Sequence, residues 1–527
     1  MTLQFGLVIL DIISSWLRMI LALGMSIVFA LVVGIWAARS RRAEAVILPL
    51  LDIFQSIPIL GFFPFVIGGI YGAMPNFVGA NLAVIVLIFT SMSWNIAFGV
   101  YEAVKAIPQD YIDLLSVSHA SGWQRIRTLY IPASLSRIAY NTQISWAVGL
   151  FFLTASEIIE VGTGANQQPI PYGIGIGANQ FANGDFADYA LLIAGIVVAV
   201  IVWRYLFLRE FALWSEKYKM MEEPREQHRD PIMRFYSWVN HRAVSKLFLL
   251  AHDVGVSRFT STIARFGRGI KYAVVIFLVL FGLLLFSSVA HSSGPMPSMP
   301  SLSLIASDES QVLVALAASF VRVWYVYAIC VGIGLPLGIV ISLNFRLYDT
   351  VSPILEVISS IPAPILLPAV LQIPVLGQTP EAVSTLVIIL AIIWYIIFNV
   401  MAGVRTLPAD LKELPNVYHV GRWAAWRNVY LPGALTGFVT GSITAIGGAW
   451  NALIISEYFT ETINGQTVVK SQVSTGIGKL IDLATYSSDY TLLTLAVVSM
   501  TVLIVAFNLT VWRRIYHRVT NRYTYNR

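Results

Sequence analysis

The sequence predicts an all-α membrane protein made of two parallel copies of one transmembrane unit, and three observations carry that prediction. Charged residues make up 12% of the 527-residue chain and hydrophobic ones 57%, about half the charged share of an ordinary soluble domain. The apolar residues come in runs about 20 long, the length that crosses a hydrocarbon core of about 30 Å. Many prolines, tryptophans and charges also recur in one order after an offset near 300 residues, the mark of an internal repeat.

Residues 18–64 fall on 322–368 without a gap: Arg18 meets Arg322, Gly34 meets Gly338, and Ser56-Ile57-Pro58 meets Ser360-Ile361-Pro362. At an offset of 300, Trp94, Pro108, His119, Trp123, Arg127, Tyr130, Pro132 and Glu157 meet Trp394, Pro408, His419, Trp423, Arg427, Tyr430, Pro432 and Glu457. Near the end an offset of 301 pairs Gly175-Ile176-Gly177 with Gly476-Ile477-Gly478. Apolar composition alone aligns membrane segments anywhere, but it does not align these residue types in series.

This register predicts helices at about 7–38, 47–70, 80–102, 133–157 and 188–208, with counterparts at about 311–343, 351–373, 380–402, 434–456 and 489–511. A further helix at about 271–290 makes about eleven. The domains follow: 1–210 and 271–527 as the two transmembrane units, with 211–270 as a polar linker. The side facing the cytoplasm follows from Lys and Arg. With the N-terminus outside and the C-terminus inside, 29 of the 34 basic residues lie in cytoplasmic segments, the positive-inside pattern of a multi-pass plasma-membrane protein. That placement accounts for the net charge of +6 without a nucleic-acid partner. No cleavable leader is evident, since the first basic residue is Arg18 and the apolar stretch continues to Ala38.

The most informative segment of each copy is the polar stretch before its fourth helix, PQDYIDLLSVSHASGWQRIRTLYIP and PADLKELPNVYHVGRWAAWRNVYLP. On one continuous helix His119, Trp123, Arg127 and Tyr130 fall within an arc of about 80°, and the second copy repeats the face. A connector packed on its own bundle, with Trp123 and Trp423 as interfacial anchors, is the alternative.

Here the chain resembles the permease subunits of binding-protein-dependent ABC importers, whose cytoplasmic loop reads EAA, then Gly, then a dozen residues ending Ile-x-Leu-Pro. Asp113 and Glu413 match the Glu position, and Tyr130-Ile131-Pro132 and Tyr430-Leu431-Pro432 match the ending. His119 and His419 replace the Gly. The likeness covers roughly 7–210 and 310–515, and SIPAPILLP and GGAWNALIISEYF point to the nitrate/sulfonate/taurine branch. The resemblance implies two parallel type I importer domains, fused. It implies coupling loops (Asp113, His119, Trp123, Arg127, Pro132 and Glu413, His419, Trp423, Arg427, Pro432) that dock two cytosolic ATPase subunits. It also implies an extracytoplasmic binding protein, a small anion as cargo, and ATP bound on the partner subunits rather than on this chain.

Inside the membrane, Pro58 and Pro64, and their counterparts Pro362 and Pro368, remove backbone donors and interrupt a helix. Broken backbone at that depth needs protein or a water-lined cavity, so these prolines are candidates for the translocation path. Arg18 and Arg322 fall at the outer interface, as anchors or as anion-attracting groups. Glu157 and Glu457 close the fourth helices on the same side, as solvated helix ends or as part of an external gate. Asp52 and Glu356 are expected to face protein or water.

Catalysis is not expected. Gly478-Lys479-Leu480 lacks the Ser or Thr of a phosphate loop, and the seven histidines include no HExxH or His/Cys cluster. A secondary transporter of parallel repeats is the alternative function. It would be expected to carry more ionisable groups at mid-membrane and no long polar loop in each half.

Overall fold

The computed structural model describes residues 4–218 and 302–519, apart from short breaks, chiefly at 67–69, 71–73, 75–76, 161–169, 183–185 and 464–465. The helix expected at 271–290 lies outside the described residues, as does most of the 211–270 linker.

The first copy runs α1 (Phe5–Arg39), α2 (Arg41–Ser56), a 3₁₀ turn (Ile59–Phe62), α3 (Phe77–Lys105), α4 (Gln109–Val117), α5 (Gly122–Arg125), α6 (Ile131–Glu160), α7 (Ile174–Ala182), α8 (Phe186–Trp203) and α9 (Arg209–Ser215). The second runs α10 (Leu302–Leu343), α11 (Phe345–Ser359), α12 (Ala363–Leu371), α13 (Pro380–Arg405), α14 (Ala409–Val417), α15 (Arg422–Ala425) and α16 (Leu431–Glu457). It continues with an antiparallel hairpin, β1 (Tyr458–Ile463) and β2 (Gln466–Gln472), then α17 (Ile477–Tyr486) and α18 (Tyr490–Phe507). The hairpin is the only sheet among the described residues. Helix α8 runs on through a π-helical turn, Arg204–Leu208, into α9, so the first residues of the expected linker are helical.

Seven helices among the described residues are long and apolar enough to cross a membrane, and an eighth span forms if the bent pair α11–α12 counts as one. Two expected spans fall short for visible reasons. Helix α2 ends at the Pro58 break after 16 residues. Helix α6 has 30 residues, but Arg137, Tyr140, Asn141, Thr142 and Gln143 interrupt its apolar run. The second helix of each copy starts at 41 or 345 rather than near 47 or 351, because a charged amphipathic turn extends it out of the apolar region.

The proline breaks organise the assembly. Pro58 and Pro362 take equivalent extended conformations, with φ −63°, ψ 112° and φ −64°, ψ 128°. After the second break the chain turns by 77°. Each break then packs into the other half. Ile59, Leu60 and Phe63 join a core cluster built mainly from α10, α13, α16, α17 and α18, while Ile365 of α12 joins the core of the first half. Leu60 N donates to Asn451 Oδ1 at 3.4 Å, and the Tyr189 hydroxyl donates to Ile365 O at 2.6 Å. Glu356, whose role was open in the sequence, pairs across the seam with Arg204.

The copies fasten the start of the second helix to the end of the third by different chemistry. In the first, Glu44 accepts from Lys105 Nζ at 2.7 Å and Tyr101 Oη at 2.6 Å. In the second, Tyr348 and Arg405 occupy the equivalent places, with the guanidinium carbon 3.9 Å from the ring centroid. The bond from Lys105, then that from Tyr101, holds the Glu44 carboxyl below its ordinary value of 4.5. A carboxylate depressed on folding contributes stability above its unfolded pKa and loses it as pH falls through the folded one. Thermal melts in detergent are therefore expected to include, below about pH 4.5, an acid-dependent loss that Glu44→Gln removes and Tyr348→Phe leaves unchanged.

Candidate functional site: two elbows and two buried ion-pair clusters

At one end of the bundle both copies form the same elbow. Helix α4 ends at Val117, and the chain reverses through His119, whose φ of 52° is left-handed; His419 repeats it with φ 51°. Ser121 then caps α5 by a reciprocal capping box with Gln124, and a π-helical turn, Ile126–Tyr130, feeds α6. The second copy repeats the π turn at Trp426–Tyr430. The single-face reading of this segment is thereby corrected. His119 sits in the turn between two helices, Arg127 is exposed, and Tyr130 is buried under Arg39 at 5.1 Å from the ring centroid. The position that the family pattern gives to Gly is one that glycine adopts without the side-chain clash of a left-handed residue, which explains the pattern and marks the histidines as locally strained.

The elbows present their helices outward. No residue of α4 or α5 is buried. Tyr111, Leu114 and Val117 are exposed in the first copy, and Leu414, Val417, Tyr418 and Trp423 in the second, with Trp423 stacked on Trp426. Asp113 is exposed and accepts from Gln109 Nε2 at 3.0 Å; Glu413, His419 and Arg427 are exposed too. Trp123, Pro132 and Pro432 are half-buried where the elbows join the bundle.

At the opposite end the structure brings Arg18 to Glu157 and Arg322 to Glu457. Both glutamates are fully buried and both arginines are 5% exposed, so neither the interfacial anchor nor the solvated helix end describes them. Arg18 donates from Nη1 to Glu157 Oε1 at 2.6 Å, from Nε to Asn81 Oδ1 at 2.7 Å and from Nη2 to Tyr172 O at 2.8 Å. With its guanidinium so occupied, it has no open face for an anion. Ser15, one turn earlier on the same face of α1, donates to Glu157 Oε1 at 2.7 Å and accepts from Ile174 N at 3.0 Å. Gly175 N donates to Glu157 Oε2 at 2.9 Å, and Gly173 N to Asp11 Oδ1 at 3.0 Å. The glutamate therefore accepts at the N-terminus of α7, where the orphan N–H groups and helix dipole favour an anion.

The second copy repeats this with Ser319, Ile477 N and Gly478 N around Glu457 and Arg322. In place of Asn81 stands Glu381, which accepts from Arg322 Nη2 at 2.6 Å and from Ser474; in place of Asp11 stands Ala315. Each cluster so holds one extra acid, at different positions. The contacts also correct the repeat register. Gly173-Ile174-Gly175, not Gly175-Ile176-Gly177, is equivalent to Gly476-Ile477-Gly478, because Gly173 and Gly476 are the glycines that lie against the glutamate carboxyls. A Cβ at either would strike that carboxyl. The residues 173–177 read GIGIG, so both registers match by letter. Of the proline candidates, Pro58, Pro362 and Pro368 are buried and Pro64 half-buried along the seam.

A duplicated helical unit with interrupted second helices and paired elbows defines a membrane transport protein of the importer type. The chain belongs to the family of binding-protein-dependent transport system inner membrane components, whose model matches residues 30–211 and again 331–523. Among curated proteins it is similar to the nitrate import permease protein NrtB of Leptolyngbya laminosa, 30% identical over 145 residues, 28% of this chain and 51% of that protein. The bicarbonate transport system permease protein CmpB of Synechococcus elongatus is 30% identical over 148 residues, 28% of this chain and 52% of that protein. The taurine transport system permease protein TauC of Escherichia coli is 25% identical over 200 residues, 38% and 65%. The chain spans about half the length of the first two relatives.

Two predictions follow from the site. Removing one partner of a buried pair leaves an uncompensated charge, at about 3–5 kcal/mol. Arg18→Met or Glu157→Gln is therefore expected to lower the detergent melting temperature sharply, while the double variant Arg18→Met with Glu157→Met recovers most of it. At the elbow, His119→Val should open the loop to limited proteolysis, at a cost of about 1–2 kcal/mol, and His119→Gly should protect it.

Proposed function

We propose that this chain is the fused pair of transmembrane domains of an ATP-driven importer. In this reading the elbows at 109–130 and 409–430 each dock one of two cytosolic ABC ATPase subunits, and ATP is bound and hydrolysed there rather than here. The N-terminus lies outside and the C-terminus in the cytoplasm, which puts both elbows beside the ATPases and most Lys and Arg inside. The cap end, with the hairpin 458–472, receives an extracytoplasmic substrate-binding protein. The cargo is a small anion such as nitrate or a sulfonate.

The observation that carries the reading is the pair of elbows. Short helices with Leu114, Val117, Leu414, Val417 and Trp423 in solvent are uncovered apolar surface in both halves, at the same place, and such surface marks a protein interface. The family relationship supports an ATPase and a binding protein as the partners, and the nitrate and bicarbonate permeases among the relatives support an anion as the cargo.

Asp113→Arg combined with Glu413→Arg changes exposed residues, so the chain should insert and melt as the parent does, yet lose co-purification of the ATPase subunits. Undiminished ATPase capture would refute the docking role. With ATPase and binding protein in proteoliposomes, uptake should require ATP; uptake driven by an ion gradient alone would place the chain among secondary transporters.

A further inference from the structure

The seam between the halves continues beyond the residues that close it. On α16, Thr440, Thr444, Gly447 and Asn451 fall within an arc of about 60° at about 100° per residue. Asn451 meets Leu60 of the other half, so this face points into the seam. Toward the elbow the same face is uncovered: Thr440 and Thr444 are exposed, their hydroxyls donating to Thr436 O and Thr440 O at 3.1 Å each.

Helix α6 repeats the geometry at an offset of 300 with Tyr140, Ile144, Ala147 and Phe151. Phe151 packs against the core cluster of the second half, while Tyr140 and Ile144 are 56% and 41% exposed. Arg137 borders this face, is exposed, and engages no partner among the described residues. The remaining sides of α6 are covered. Asn95 of α3 donates to Ser145 at 3.1 Å, and Trp203 of α8 stacks on Trp146 at 4.4 Å.

Composition separates these uncovered faces from lipid-facing ones. The exposed side chains of α8 and α18 include Val198, Val202, Val498 and Val502. Those of α6 and α16 include Arg137, Tyr140, Gln143, Thr440 and Thr444. Ionisable and polar side chains within membrane helices face the bundle interior or a water-filled cavity.

We propose that the two faces line one aqueous vestibule between the halves. It opens at the elbow end, is closed toward the cap by the 59–62 turn and α12, and is biased toward small anions by Arg137. The second copy has Gly437 at the equivalent place, so one wall carries the charge and the other offers threonine hydroxyls. What passes through it rests on the importer reading above; the vestibule and its potential can be tested without any partner.

Cys330 is the only cysteine and is buried, which leaves a quiet background for labelling. Tyr140→Cys and Thr444→Cys, in the full chain in inverted membrane vesicles, are treated with an anionic (sulfonatoethyl) and a cationic (trimethylammonioethyl) methanethiosulfonate. Both sites should react from the elbow side at least tenfold faster than the lipid-facing control Val502→Cys. Adding Arg137→Gln to Tyr140→Cys should lower the anionic-to-cationic rate ratio by roughly fivefold or more, and Arg137→Lys should preserve it. Labelling no faster than the control overturns the vestibule. Fast labelling with a ratio indifferent to Arg137 overturns the anion bias and leaves the ATPase-docking reading untouched, as loss of ATPase capture would leave this one.

Discussion

A helix broken inside a bilayer must satisfy its freed backbone groups and turned side chains with protein, since lipid offers no hydrogen bonds. Here each half supplies what the other half's break needs. The turn after Pro58 enters the core of the second copy, where Asn451 accepts from Leu60 N. The helix after Pro362 enters the first copy, where Tyr189 donates to Ile365 O. A single copy would leave its break against lipid, so the duplicated sequence encodes one interlocked unit. The seam that results is where packing is reciprocal and where a path between the halves has to run.

The two ends of the bundle are held by opposite strategies. At the cap end, buried carboxylates fix the first, fourth and short seventh or seventeenth helices through an arginine, a serine and backbone N–H groups. Such a network is costly to break on one side only, which keeps those helix ends together as a block. At the elbow end the side chains are exposed and the backbone makes two unusual features per copy, a left-handed histidine and a π turn. A rigid cap opposite an exposed elbow suits a machine pushed from the elbow side.

Much of this was legible in the sequence. Duplication, span positions, the proline breaks and the exposed segments before the fourth helices all follow from residue type and spacing along the chain. What stayed hidden depends on contacts between distant residues. Arg18 and Glu157 stand 139 positions apart, and hydropathy assigns each to a helix end without saying that the ends meet. A signal did exist: Ser15-x-x-Arg18 recurs as Ser319-x-x-Arg322, just before the stretch that was aligned. The glycine register was ambiguous because GIGIG matches itself two residues on. The break at His119 was masked because a left-handed residue is expected to be Gly, and the nearest glycine, Gly122, starts the next helix instead.

The interlock is tested most directly by cross-linking across the seam. Leu60→Cys with Asn451→Cys, carrying a protease site inserted within residues 230–290, is treated in membranes with a short bis-maleimide and then cleaved. The reciprocal packing of the breaks requires the two fragments to run as one species on a denaturing gel, with either single cysteine giving two. Separation of the fragments after treatment of the double variant would contradict it.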